Sequence, residues 1–131
     1  MLFRSAAVCA RALAMTAVLG GALAMVEEDS FTLDVYKRQE YPRELYDFYI
    51  LADNCTDRTV EVARRMGANV LESHKESPDA PTGKPIVLQK ALNALDGYQD
   101  HYDLVMFFDA DNLIDPNMFL EVNSQYLSRC V

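Results

Sequence analysis

The sequence predicts an α/β domain with parallel central strands, and three observations carry that prediction. From Glu40 onward, short apolar runs alternate with amphipathic segments of helix length. The junctions carry the Asp, Asn, Gly and Pro that turns and helix ends need. Two of the apolar runs end in acid, Ala52-Asp53 and Phe108-Asp109-Ala110-Asp111. Carboxylates just past a strand lie at the C-terminal edge of a sheet, where open α/β sheets bind their ligands.

Taken in order, Tyr46 to Ala52 is rich in aromatic and apolar residues and reads as a strand. Asp53 to Asp57 is a polar turn, and Thr56 or Asp57 can cap a helix running to about Met66. Val60, Ala63 and Gly67, with Val62 and Met66 beside them, give it an apolar side, and Gly67 is a fitting stop. Val70-Leu71 suits a second strand, so this unit makes a parallel pair. Ser73 to Gly83 is a polar loop with Pro78 and Pro81, long enough to point to function. Lys84-Pro85 opens a second helix with proline in its first turn, and Leu88, Ala91, Leu92 and Leu95 form its apolar stripe. Asp96-Gly97 ends it. Leu104 to Phe108 is a third strand, and a third helix runs from Pro116 to about Tyr126. The order is β-α-β-loop-α-β-α.

Residues 1–39 read differently. Ala12 to Val26 is an almost unbroken small-apolar run behind Arg4 and Arg11, and Ala22-Leu23-Ala24 resembles a cleavage site. That is the pattern of a signal peptide, and it is short for a membrane span. Met1 to Ser5 and Asp34 to Gln39 also resemble translated read-through, as does the tail, residues 128–131. On either reading the domain is expected to begin at residue 40 and end near residue 127, without residues 1–39. This segment is therefore expected to pack poorly, leaving the sheet without a first strand.

Length and charge narrow the function classes. At 131 residues the chain holds one domain, and half of its residues are apolar. A formal net charge of −8 argues against tracking a nucleic-acid backbone. An anionic small ligand would need a cation to offset the local repulsion. Cys9, Cys55 and Cys130 form neither a disulfide framework nor a zinc pattern, and a reducing compartment follows as the simplest inference.

Asp109 and Asp111 offer hard oxygen ligands for a divalent cation, with other coordination positions left to water and phosphate. An EF-hand starting at Asp109 would need a polar ligand and then glycine where Leu113 and Ile114 stand. An aspartyl-phosphate enzyme would want Gly-Thr where Asn112-Leu113 follows. Asp53 can accept hydrogen bonds from a base N–H or a ribose hydroxyl; alternatively it only shapes a turn. Gly83-Lys84 places a cation and backbone donors at a helix start, without the remainder of a P-loop. His74 and His101 are isolated and read as surface residues. Asp115 reads as a helix cap.

The ordered set Tyr49 to Thr59 (Tyr-Ile-Leu-Ala-Asp-Asn-Cys-Thr-Asp-Arg-Thr), Gly83-Lys84 with Ala91-Leu92-Asn93, and Phe108-Asp109-Ala110-Asp111-Asn112 resembles family 2 glycosyltransferases, in particular the bacterial exopolysaccharide branch. The resemblance spans Glu40 to about Leu127. It implies a GT-A three-layer sandwich, present here in part. It further implies a nucleotide-diphosphate sugar donor and a glycan or polysaccharide acceptor. Asp53, Lys84 and Asp109 would contact the donor, and Asp109 and Asp111 would hold Mg²⁺ or Mn²⁺. Transfer would invert the anomeric carbon, with a general base expected beyond the C-terminus, so that this chain alone would be inactive. The implied location is the cytoplasm, with the parent protein at the inner face of the cell membrane. The family's first strand and its Gln-x-x-Arg-Trp segment have no counterpart in the sequence. Two other readings fit the same plan: a sugar-phosphate nucleotidyltransferase, which would carry a glycine-rich loop not seen here, and a non-catalytic binding module.

Overall fold

Tyr46–Asp53 forms the strand that its apolar run predicts, and its second half is buried on both faces. The computed structural model describes residues 10–19, 36–55, 58–81, 83–109 and 114–129. Among them the order is β1 (Ala12–Leu19), a turn of 3-10 helix at Arg43–Leu45, β2 (Tyr46–Asp53), α1 (Thr59–Arg65) and β3 (Asn69–Ser73), then α2 (Lys84–Ala94), the short α3 (Tyr98–His101), β4 (Leu104–Asp109) and α4 (Met118–Arg129). The four strands make one parallel sheet in the order β3-β2-β1-β4.

The expectation is corrected here for residues 10–19 and 36–39; residues 1–9 and 20–35, with Ala22-Leu23-Ala24, lie outside the described residues. Ala12–Leu19 is not set apart from the domain; it is an inner strand, paired with β2 on one side and β4 on the other. Leu13, Ala14 and Met15 are fully buried. The physical reason is that a strand covered on both faces has no polar alternation and reads as a continuous apolar run. The hydrophobic stretch of a signal peptide reads the same way. Residues 36–39 also belong to the packed body. Tyr36 stacks on Phe48 with ring centroids 3.7 Å apart. The Gln39 amide donates to the Asp115 carbonyl at 2.8 Å and accepts from the Phe119 N–H at 3.1 Å. The sheet thus has the first strand that the sequence reading found missing.

Strand alternation sorts the core into two layers. Ala12, Ala14, Phe48, Ile50, Ala52 and Met106 face one way, against Val62 and Ala63 of α1 and Phe119 of α4. Leu13, Met15, Ala17 and Leu51 face the other way, against Val87 and Ala91 of α2. This is a three-layer sandwich with the sheet in the middle. The stripe read on α2 packs as expected, although Val87 and Ala91 are its deepest residues while Leu88, Leu92 and Leu95 are half-buried.

The helix ends show where local chemistry shifted a boundary. The α1 N-cap position is Arg58, and the expected caps Thr56 and Asp57 lie outside the described residues. Asp115 does organise the entry to α4: its carboxylate accepts from the Asn117 N–H at 2.8 Å, which holds residues 116–117 in a turn and delays the helix to Met118. At the other end, Ser128 and Arg129 continue α4 instead of forming a tail. The short α3 was not legible, because Tyr98 to His101 carries no apolar period. No helix among the described residues is long and apolar enough to cross a membrane.

Candidate functional site

The parallel register brings the acidic strand ends together. Ala17 of β1 pairs with Asp109 on one side and Leu51 on the other, and Leu19 pairs with Asp53. Residues that pair across parallel strands share a face, as do positions two apart along a strand. Asp53, Asp109 and Ser73 therefore all stand on the α2 face of the sheet, at its C-terminal edge. Asp53 and Asp109 flank β1, so two strand spacings, roughly 10 Å, separate them laterally.

The topology explains why an opening belongs there. From β1 the chain steps one way to β2 and β3, then returns to the other side of β1 with β4. α1 covers one face and α2 the opposite face. Such a reversal leaves a crevice outside the carboxyl ends of the strands on either side of it, here β1 and β4. Asp109 ends β4 at that place.

Asp53 is 5% exposed and held from two directions. Ser73 Oγ donates to its Oδ1 at 2.7 Å, and the Asn54 amide donates to its Oδ2 at 3.3 Å. Asn54 itself takes φ +53°, a left-handed conformation that Asn tolerates better than most residues. In that pose its N–H donates to the Ser73 carbonyl and its side-chain oxygen accepts from the Lys75 N–H, each at 2.8 Å. This network latches the ends of β2 and β3 and fixes the Asp53 carboxylate. Two of the roughly four acceptor positions of that carboxylate are used, so it retains capacity for a ligand donor.

Lys84 comes from the start of α2, the helix that covers this face of the sheet. Gly83 precedes α2 with φ +118°, open only to glycine without strain, and Pro85 fixes the first turn. The Lys84 ammonium donates to Asp109 Oδ1, and both side chains are about half exposed, at 47% each. Asp53, Lys84 and Asp109 thus share one sheet edge and one face. Asp111 lies outside the described residues. The sequence reading missed Ser73 and Asn54 as partners of Asp53. Only the register reveals Ser73, since it depends on which residue of β3 lies opposite Asp53.

The opposite edge of the sheet carries pins of a structural kind. The Arg11 N–H donates to Asp103 at 2.8 Å, and the Tyr102 hydroxyl donates to Asp47 at 2.5 Å. Burial, reinforced by the Asp47 carboxylate, pushes the Tyr102 phenol well above the usual tyrosine range, so it stays a donor. His74 and His101 are exposed, as expected.

No protein-family model matches the chain, and no curated protein does. Solved structures do. A mannosyltransferase from Pyrobaculum calidifontis, in complex with GDP-Man and Mn²⁺, superposes with a TM-score of 0.65 at 21% identity over 90% of this chain. The fold is that of the GT-A glycosyltransferases. TarS from S. aureus follows at a TM-score of 0.59 and 19% identity over 91% of this chain. Glucosyl-3-phosphoglycerate synthase from Mycobacterium tuberculosis, solved with Mn²⁺, UDP and glucosyl-3-phosphoglycerate, gives 0.53 at 21% over 90%. The chain spans 32%, 20% and 39% of the lengths of these three GT-A proteins.

Proposed function

We propose that this chain is the donor-binding part of an inverting glycosyltransferase of the exopolysaccharide-building kind. It would take a hexose from a nucleotide-diphosphate sugar and pass it to a glycan or polysaccharide acceptor. The observation that carries this reading is the placement of Asp53 and Asp109 on one face of one sheet edge, flanking β1, with Lys84 on Asp109. The crystallised GT-A proteins that bind GDP-Man or UDP with Mn²⁺ support it.

The residues divide the donor between them. Asp53, fixed by Ser73 and Asn54, accepts from a base N–H or a ribose hydroxyl. A lateral span of roughly 10 Å then leaves the diphosphate near Asp109 and Lys84. Asp109 and Asp111 would hold Mg²⁺ or Mn²⁺. The donor set suits such an ion: Asp109 is a hard oxygen ligand, half exposed at an open edge. Among the described residues no group of three or more His, Cys, Asp or Glu gathers, so phosphate oxygens and water would complete the coordination. The cation would offset charge on the departing nucleoside diphosphate. A sugar acceptor and a proton-accepting carboxylate would complete the reaction, and our reading puts the parent protein in the cytoplasm, at the inner face of the membrane.

Titration calorimetry of the full chain with UDP and with GDP tests this reading. One of the two is expected to bind in the presence of Mn²⁺, and binding is expected to vanish with a chelator. Binding that persists with the chelator removes the metal from the site. Binding of neither nucleotide under either condition rejects the reading.

Ser73→Ala offers a finer check. It removes the 2.7 Å hydrogen bond to Asp53, an interaction worth about 1–3 kcal/mol when the acceptor is charged. Nucleotide affinity measured on the folded variant should fall about five-fold or more. A loss of stability with unchanged affinity would make Asp53 a latch between strands and nothing else.

A further inference from the structure

Resting on the donor-binding reading, we propose that Lys84 is a placeholder cation, holding the Asp109 carboxylate until a divalent metal and a nucleoside diphosphate arrive together and then transferring to a phosphate oxygen. Three features lead to it. The Lys84 ammonium sits on Asp109 Oδ1, the carboxylate that the site offers to a metal. The pair is half exposed on both sides, and ion pairs in such surroundings contribute little, so it yields to a stronger competitor. Lys84 is anchored at its base by the start of α2, between Gly83 and Pro85, while its flexible stem lets the ammonium swing within the crevice.

The charges make this exchange selective. A divalent cation arriving alone must displace the ammonium and then share the crevice with it, two positive groups with no new anion between them. A nucleoside diphosphate arriving alone meets a carboxylate of its own sign at Asp109, with the Lys84 ammonium already engaged there. When both arrive, the phosphates bring negative charge for each of the two cations, and the Lys84 ammonium leaves a carboxylate oxygen for a phosphate oxygen. Lys84 therefore couples the two ligands, each strengthening the other by the same factor. In a chain of net charge −8, it also keeps the crevice from capturing stray divalent ions without a donor.

The test measures Mn²⁺ binding directly, by electron paramagnetic resonance of the free ion, in the full chain and in Lys84→Met, with and without saturating UDP or GDP. Lys84→Met should bind Mn²⁺ alone about five-fold more tightly than the parent chain, a surface ion pair being of that order. The factor by which nucleotide tightens Mn²⁺ binding should shrink by at least as much. Lys84→Arg retains a cation and should keep the weak metal binding, and Lys90→Met, which removes a charge further along α2, should stay within about two-fold of the parent. Unchanged or weaker Mn²⁺ binding in Lys84→Met overturns the proposal. So does a nucleotide coupling factor equal to the parent's. Those failures, with Mn²⁺ and nucleotide still bound, leave the donor-binding reading standing; absence of nucleotide binding in every protein, with or without Mn²⁺, rejects that reading and the proposal together.

Discussion

Leu13→Ala should destabilise the protein by about 3 kcal/mol, within the usual range for a fully buried leucine whose site cannot collapse. Leu13 is 0% exposed and lies in β1 between β2 and β4, packed in the layer with Val87 and Ala91. Domains of this size are commonly stable by only about 5–15 kcal/mol, so the change should shift a urea midpoint plainly. Removing residues 1–19 should have a larger effect. β2 and β4 share no neighbour other than β1, and without it the C-terminal edge would no longer bring Asp53 and Asp109 together. Cooperative unfolding of the shortened chain at the same urea midpoint as the full chain would show that Ala12–Leu19 contributes nothing to the sheet.

Asp109→Asn should lower Mn²⁺-dependent nucleotide affinity by about a hundred-fold, since even outer-shell partners of bound metals are commonly worth ten- to a hundred-fold. The substitution keeps the shape of the side chain and one neutral oxygen, and removes the charge that faces Lys84 and that the proposed function assigns to a metal. Stability should move by less than about 1 kcal/mol, because the Lys84–Asp109 pair is half exposed and pairs of that kind contribute little. Calorimetry and urea unfolding on the same sample separate the two effects. Unchanged affinity would place the metal elsewhere. A large loss of stability would make Asp109 chiefly a structural residue.

The parts of the fold that could be read from sequence are those whose surroundings change from residue to residue. β2 and β4 run from apolar to acidic, and α2 begins at Gly83-Lys84-Pro85 and shows one apolar side, so their ends fall close to where the sequence places them. β1 escaped because a strand buried on both faces carries no alternation, and its alanines and short apolar side chains mimic an export signal. At the candidate site, the sequence singles out Asp53 and Asp109 because each closes an apolar strand. Their partners did not. Ser73 meets Asp53 only through the β2–β3 register, and Lys84 meets Asp109 across 25 positions of chain. Contacts of that kind are set by tertiary geometry, which no local pattern encodes.

The placement of β1 also has a bearing on how the molecule is made. The strand leaves the ribosome well before β4 does, and the hydrogen bond from Arg11 to Asp103, beside the start of β4, closes over 92 positions. Until β4 is made, β1 has at best one of its two neighbours, and an apolar strand edge waits for a partner that does not yet exist. Pairings this distant slow folding and lengthen the interval in which such an edge can stick to another chain. Yield during expression should therefore depend on growth temperature and chaperone supply more than the stability of the finished protein would indicate.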